Sequence, residues 1–142
     1  MATKDIARIE AALGHHVPHY YREFILANGD ELDVLRVREV GTIHTDADEV
    51  INDNLFSRRA PECFVIGEDD EPWPANYFIV GNNGGGDYWF VHRDAWDLGL
   101  WFYSCEAHEI RRRHSLLTDY LDRLREELQS QNRVRFTEFT EE

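Results

Sequence analysis

Residues 77–92 have the sequence YFIVGNNGGGDYWFVH, and this stretch does most to decide the fold. Its two apolar runs, 77–80 and 88–92, are rich in the aromatic and β-branched residues that favour strands. The connection, 81–87, holds four glycines, two asparagines and an aspartate, so several of its residues can adopt the positive φ that hairpin loops need. The stretch therefore predicts two strands joined by a structural glycine loop.

A ligand-binding role for the glycine loop is less favoured. The loop lacks the lysine and the following helix of a phosphate-binding GxxxxGK[ST] motif, and Asp87 would repel phosphate. Asn82, Asn83 and Asp87 could approach calcium, but one carboxylate is few for that ion.

Helical patterns lie on both sides of this hairpin. Ile6, Ile9 and Leu13 share one helical face, in a helix that Thr3 can cap and Gly14 can end. A second helix is predicted to begin at Pro18 and to stop at Asn28-Gly29. Further helices are predicted over residues 45–56, where Thr45 would be the cap, and 115–129.

Other short segments favour strands. Residues 32–40 alternate in part, 63–66 form an apolar run that predicts a buried strand, and 100–103 predict another strand. Residues 134–139 are compatible with an edge strand or with a loose acidic tail. Trp89, Trp96 and Trp101 are interpreted as packing residues, because large aromatic side chains are buried on average.

The length of 142 residues predicts one domain over residues 1–142, with no internal repeat and no linker. There are 28 acidic against 15 basic residues, which gives a net charge of −13. Nucleic acids and anionic membrane surfaces require lysine and arginine, so both are disfavoured as partners. A basic protein is the favoured partner, although the charge could also serve solubility alone.

The two cysteines, Cys63 and Cys105, are too few for a disulfide framework, and a reducing, cytoplasmic compartment is the simplest expectation. Charged residues from Lys4 onward interrupt any apolar stretch, so we expect neither a signal peptide nor a membrane span.

No pattern predicts a metal, a cofactor or a catalytic residue. His15, His16 and His19 form a cluster, but Gly14 and Pro18 interrupt the helix there and no nearby residue completes a zinc site. The serines lie in no GxSxG frame, and nothing orients a base toward Cys105. We therefore expect a protein that is not an enzyme.

The acidic run, residues 68–71, is the densest group of carboxylates. It consists of Glu68, Asp69, Asp70 and Glu71, and Trp73 follows between two prolines. Most charge runs are only solvated loops. The alternative is a rigid acidic surface with Trp73 as an anchor, since tryptophan is enriched at binding hot spots.

The acidic helix predicted over 45–56 is the second candidate surface for a partner. Its acidic residues are Asp46, Asp48, Glu49 and Asp53. The arginine triplet 111–113 is expected instead to end a strand or to pair with nearby acids, because a nucleic-acid surface would need more basic residues around it.

The order of these motifs resembles the SMI1/KNR4 (SUKH) superfamily. The opening signature is carried by Glu10, Leu13-Gly14, Val17-Pro18, Tyr20-Tyr21, Phe24 and Asn28-Gly29. The later signature is carried by residues 64–67, 83–87 and 88–91, followed by the closing helix. The resemblance spans about residues 6–128. The chain differs from many relatives in one respect, because residues 68–76 and a further strand separate the phenylalanine strand from the glycine motif.

The resemblance implies an α+β fold with a mixed, mainly antiparallel sheet and helices packed beside it. It also implies function by binding, without a catalytic residue. Bacterial members are commonly immunity proteins that neutralise a cognate toxin domain, often a nuclease, whereas eukaryotic members act as regulatory scaffolds. We therefore expect an immunity protein, with a regulatory or scaffold protein as the alternative.

Overall fold

The computed structural model describes residues 1–38, 42–94 and 96–140, with side chains up to residue 132. The helices among them are α1 (Thr3–Leu13), α2 (His19–Val37), α3 (Ala47–Arg59) and α4 (Leu117–Thr140), with a 3-10 turn at Pro61–Cys63. The strands are β1 (Tyr77–Asn82), β2 (Tyr88–His92), β3 (Leu100–Ser104) and β4 (Glu109–His114). They form a sheet in the order β1-β2-β3-β4, and each neighbouring pair is antiparallel. The predicted α+β class is therefore confirmed.

The glycine-rich hairpin is present between β1 and β2. Gly84 and Gly86 have φ values of 81° and 93°, a backbone conformation that side chains disfavour. Asn82 Oδ1 accepts a hydrogen bond from the backbone N–H of Gly84 at 2.9 Å, and Asn83 Oδ1 accepts one from Gly85 at 2.9 Å. The asparagines thus hold the loop that the glycines make possible.

The two faces of the sheet carry different cores. Because side chains alternate along a strand, Phe78 and Val80 face the helices while Ile79 faces the opposite side. The helical face packs against apolar residues of all four helices. The other face carries the second core, which comprises Phe64, Ile79, Phe90 and Tyr103 and is covered by the segment that leads from the 3-10 turn to β1.

The outer edge of β1 is covered by protein. His44 N–H donates to the Val80 carbonyl at 2.8 Å, and Asn82 N–H donates to the Thr42 carbonyl at 3.2 Å. Gly81 lies so close to this segment that a Cβ atom would collide with the backbone of Thr42. The buried Asn54 of α3 bonds both the N–H and the C=O of Ile79 at 2.9 Å. The Asn54 side chain and residues 42–44 thus make the hydrogen bonds to β1 that a fifth strand would otherwise make.

Helix α2 differs most from expectation. It does not stop at Asn28-Gly29 but continues to Val37, so the predicted strand over 32–40 is wrong for its described part, and residues 39 and 40 lie outside the described residues. Gly29 is buried in the helix, and a Cβ atom there would lie 3.2 Å from the Met1 nitrogen. Its small size therefore serves packing, not helix termination.

Several other boundaries also differ. Ala2 and Asp46 occupy the N-cap positions predicted for Thr3 and Thr45. The predicted strand over 63–66 is wrong, since Cys63 is exposed and ends the 3-10 turn, while Ile66 makes a single bridge to Glu71. Residues 134–139 belong to α4, so neither the edge strand nor the loose tail is correct.

The sequence patterns did not predict β4. The arginine triplet lies on this strand. Arg112 forms an ion pair with Asp97 at 3.2 Å and Arg111 with Glu109 at 3.3 Å, which agrees with the expected pairing with nearby acids. Arg113 lies over the Phe102 ring, 5.0 Å from its centroid. Trp96 is 66% exposed and is therefore not a core residue, although its ring contacts that of His92 with 4.7 Å between centroids. None of the described helices has the length and apolar character that crossing a membrane would require.

Candidate partner-binding surface

The acidic run forms a short turn that projects from the second core. Ile66 and Glu71 exchange two backbone hydrogen bonds of 2.8 Å, which close the turn at its base. Gly67 adopts a φ of 78° and donates its N–H to the His108 carbonyl at 2.7 Å. That bond holds the turn against the β3–β4 connection, and all four carboxylates are exposed. The acidic run is therefore a defined surface feature.

The charges of the acidic run are mostly unneutralised. Asp70 lies 3.4 Å from His108 Nδ1, while Glu68, Asp69 and Glu71 form no ion pair with any described residue. Unpaired surface carboxylates sum to a local negative potential that attracts a basic partner. The acidic run is thus the part of the predicted site with the most carboxylates available.

Trp73 does not stand beside the acidic run as an exposed anchor. Its ring is half-buried and makes edge-on contacts with Phe64 at 5.3 Å, Phe90 at 5.0 Å and Tyr103 at 5.4 Å between centroids. These contacts are those of a packing residue, because the three rings belong to the second core. Trp73 therefore packs against the second core, and its role as an anchor for a partner stays a prediction.

The first two acids of α3 are engaged within the protein. The carboxylate of Asp46 accepts a hydrogen bond from the Asp48 N–H at 2.7 Å and caps the helix. Asp48 forms an ion pair with Arg8 of α1. Both residues are exposed, but Arg8 offsets the charge of Asp48 and the carboxylate of Asp46 is already hydrogen-bonded. The acidic run therefore has more carboxylates free for a partner.

Glu49 and Asp53 of α3 hold His44 between them. His44 is buried, with Nε2 2.5 Å from Asp53 Oδ2 and Nδ1 2.6 Å from Glu49 Oε2, although the second contact lacks hydrogen-bond direction. Asn82 donates to Asp53 at 2.8 Å, and Arg36 lies 3.4 Å from Glu49. These contacts fasten the segment that covers β1 to α3 and to the glycine hairpin.

A polar cavity of about 450 Å³ opens beside this network. Its lining residues are Arg36, Thr42, His44, Glu49, Asn52, Asp53 and Asn82. A histidine between carboxylates can act as a base when it faces a nucleophile. Among these lining residues there is neither serine nor cysteine, and the one hydroxyl group belongs to Thr42.

Tyr88 and Tyr103 are paired on β2 and β3 and lie between the two acidic regions. Burial raises the pKa of Tyr88, and the charge of Asp53 raises it further. Burial also raises the pKa of Tyr103 to about 12, and nearby negative charges that include Asp87 and Asp70 add to this shift. Asp53 of α3 and Asp70 of the acidic run thus lie around one tyrosine pair.

A model of the SMI1 / KNR4 family (SUKH-1) matches residues 2–123. The chain belongs to this family. The match includes the acidic run, α3 and the glycine hairpin, so the candidate surface lies inside the family domain. None of the curated proteins matches the chain, and none of the solved structures does. SUKH-1 is known as a family of toxin immunity and not generally of enzymes.

In this SUKH-1 domain the three histidines of the predicted cluster have separate partners. His16 Nδ1 lies 2.8 Å from Glu10, and His19 Nε2 lies 2.9 Å from Glu23. His15 instead places its ring edge against Phe78, with 6.2 Å between centroids. Within the described ranges, no group of three or more His, Cys, Asp and Glu side chains is placed to hold a metal ion.

Sequence reasoning missed several residues of the SUKH-1 surface. His44 and Arg36 gave no signal, because an isolated histidine or arginine carries no periodic pattern. The sequence reasoning considers Asp87 as a residue that repels phosphate and as a single carboxylate for calcium. In the structure it accepts a hydrogen bond from the Cys105 N–H at 2.9 Å, and this bond lowers its pKa below the ordinary value. Asp87 therefore adds a stable negative charge near the tyrosine pair.

Proposed function

We propose that this chain is an immunity protein that binds a basic toxin domain and blocks it. Family membership supports protection by binding, and the net charge of −13 favours a basic partner. The observation that carries the proposal is the acidic run, in which Glu68, Asp69 and Glu71 are exposed and form no ion pair with the described residues.

A nuclease is the toxin class that fits this surface best. A nuclease must bind phosphates, so its substrate cleft is lined with lysine and arginine. A rigid turn with several carboxylates can occupy such a cleft in place of the phosphates. Oppositely charged surfaces also accelerate encounter, and a faster encounter favours an inhibitor that must act before the toxin does.

The alternative is a regulatory or scaffold protein of the same family, with a protein partner that is not a toxin. The two functions differ in what the neighbouring genes encode and in whether cells survive. A toxin domain encoded beside this chain should kill cells when expressed alone and spare them when this chain is co-expressed. Failure of both protection and co-purification would contradict immunity and favour the scaffold function.

The role of the acidic run can be tested by reversing its two free N-terminal charges. The double variant Glu68→Lys/Asp69→Lys should slow association with the toxin domain roughly tenfold and flatten its dependence on salt, because long-range attraction is reduced. Stopped-flow association at two ionic strengths measures both effects.

The matched control is Asp30→Lys/Glu126→Lys, which changes the net charge equally at two exposed helical positions without ion pairs to described residues. Circular dichroism should show that both double variants keep the parental fold. Equal association rates for the two double variants would place the binding surface elsewhere, with Asp46, Asp48, Glu49 and Asp53 of α3 as the next candidate.

A further inference from the structure

A second cavity, of about 350 Å³, lies directly behind the acidic run and has the opposite character. It is formed where the α1–α2 turn, the end of α3, residues 72–77 and the end of β2 meet. Its lining residues are His15, Asn54, Ser57, Arg58, Pro61, Pro72, Trp73, Pro74, Ala75, Tyr77 and Arg93. None of these described residues is acidic, in a chain with 28 acidic residues. The cavity is thus a positively charged site inside a negative protein.

Arg58 and Arg93 supply the charge of this cavity. Arg58 donates from Nη2 to the Leu13 carbonyl at 2.8 Å, and Arg93 donates from Nη1 to the Ala75 carbonyl at 3.3 Å. Neither guanidinium forms an ion pair within the described part of the chain, whereas Arg112 and Arg125 do. A guanidinium carries five N–H donors, so each of the two retains donors for another group.

Two buried donors near this cavity have no partner among the described residues. They are Arg93 Nε and Trp73 Nε1. A buried donor without a partner is costly, and such exceptions commonly mark a place where a further group binds. Both donors belong to residues that line the cavity, but the two nitrogen atoms are covered by protein, so an acceptor there reaches them only if the side chain of Trp73 or Arg93 shifts.

His15 lines the same cavity as Arg58 and Arg93. Burial lowers the pKa of His15, and the nearby charges of Arg93 and Arg58 lower it further, whereas the hydrogen bond to the His16 carbonyl and the charge of Glu10 raise it. An anion in the cavity would meet both guanidinium groups.

We infer that this cavity binds a small organic anion in which a phosphate or carboxylate group is joined to a flat ring. The arginines would bind the oxyanion, as guanidinium groups do in bidentate fashion. Trp73, Tyr77 and the three prolines provide an apolar wall against which a ring can pack, and an oxyanion alone would leave that wall uncovered. The inference does not depend on the toxin.

Calorimetry with four probes tests the site on the full chain. Phenyl phosphate and benzoate carry both the ring and an oxyanion, inorganic phosphate lacks the ring, and benzyl alcohol lacks the charge. At least one of the first two should bind with a Kd of about 1 mM or lower, and more tightly than phosphate or benzyl alcohol. Their relative affinity identifies the preferred oxyanion. Benzyl alcohol binding as tightly as both, or no binding by either, would overturn the inference.

Charge-removing variants locate the binding. Arg58→Gln and Arg93→Gln should each weaken binding of the better probe roughly tenfold, because a charge-assisted hydrogen bond is lost. Arg59→Gln is the matched control, since Arg59 is the exposed neighbour on α3 and does not line the cavity. Arg58→Gln serves if Arg93→Gln does not fold. Equal weakening by Arg59→Gln, or no weakening by the other variants, would show surface binding and refute the site.

Discussion

The side chain of Asn54 joins α3 to the sheet, and its removal should cost much of the stability of the domain. Asn54 is 5% exposed and makes three hydrogen bonds. Its amide donates to the Val50 carbonyl at 2.8 Å and to the Ile79 carbonyl at 2.9 Å, while its oxygen accepts from the Ile79 N–H at 2.9 Å. Asn54→Ala leaves both backbone groups of Ile79 without these partners.

The expected loss follows from those two groups. A buried backbone group that loses its partner costs about 1–3 kcal/mol, so Asn54→Ala should lower the free energy of unfolding by about 4 kcal/mol. Domains of this size are stable by only about 5–15 kcal/mol. At a urea dependence of about 2 kcal/mol per molar, the midpoint should fall by about 2 M.

Urea unfolding followed by circular dichroism and tryptophan fluorescence measures this change. Asn52→Ala is the control, because Asn52 lies on the same helix, is exposed and makes no hydrogen bond to the described residues. It should change the free energy of unfolding by less than about 0.5 kcal/mol. If Asn54→Ala behaves like Asn52→Ala with an unchanged slope, the attachment of α3 to β1 through this side chain is refuted.

Three further changes test other parts of the structure. Trp73→Ala should lower the free energy of unfolding by about 2–3 kcal/mol in chemical denaturation, because the half-buried ring packs in the second core. Gly84→Ala and Gly86→Ala should each cost about 1 kcal/mol or more in thermal melting, with Gly86 worse because its Cβ atom would lie 3.0 Å from a cysteine sulfur. The pKa of Asp87 is lowered in the fold, so its stabilisation is present above its unfolded pKa and is lost as pH falls through its folded pKa. Asp87→Asn should therefore flatten the acid limb of a stability–pH profile.

Each of these changes has a matched control. Trp96→Ala removes a ring that is 66% exposed and should leave stability nearly unchanged. Gly85→Ala adds a Cβ atom in ordinary contact, 3.5 Å from an asparagine oxygen, at a residue without positive φ. Asp30→Asn is the control for Asp87→Asn, because Asp30 is exposed and makes no side-chain hydrogen bond or ion pair to the described residues. A control that changes as much as its test variant would contradict the structural reason given for that variant.

The hairpin and most of the helices could be predicted because their signals are local. Residues 77–80 and 88–92 are apolar runs typical of strands, and the glycine-rich stretch between them is typical of a turn. The predicted α2 is too short, because Asn28-Gly29 is a typical stop signal for a helix. The role of Gly29 is a contact with Met1, which is distant in sequence and leaves no local pattern. The spacing of Phe24, Leu32 and Leu35 was helical throughout.

The candidate site was less predictable, because its chemistry depends on pairing between distant residues. Composition indicated that carboxylates matter, and the acidic run was correctly singled out as exposed. The sequence alone could not show that Asp48 forms an ion pair with Arg8, or that Trp73 packs against the second core. Nor could it show that Arg58 and Arg93, 35 positions apart by their numbers, face one cavity.

The covered edge of β1 bears on how the protein behaves when it accumulates. An open strand edge is a template on which a second chain can pair, and such pairing leads to aggregation. At β1 that template is already used by residues 42–44 and Asn54. At the other end of the sheet, two β4 strands that paired about Arg112 would bring arginines opposite one another, which is unfavourable. Both edges of the sheet therefore disfavour edge-to-edge pairing between copies of the protein, even at high concentration.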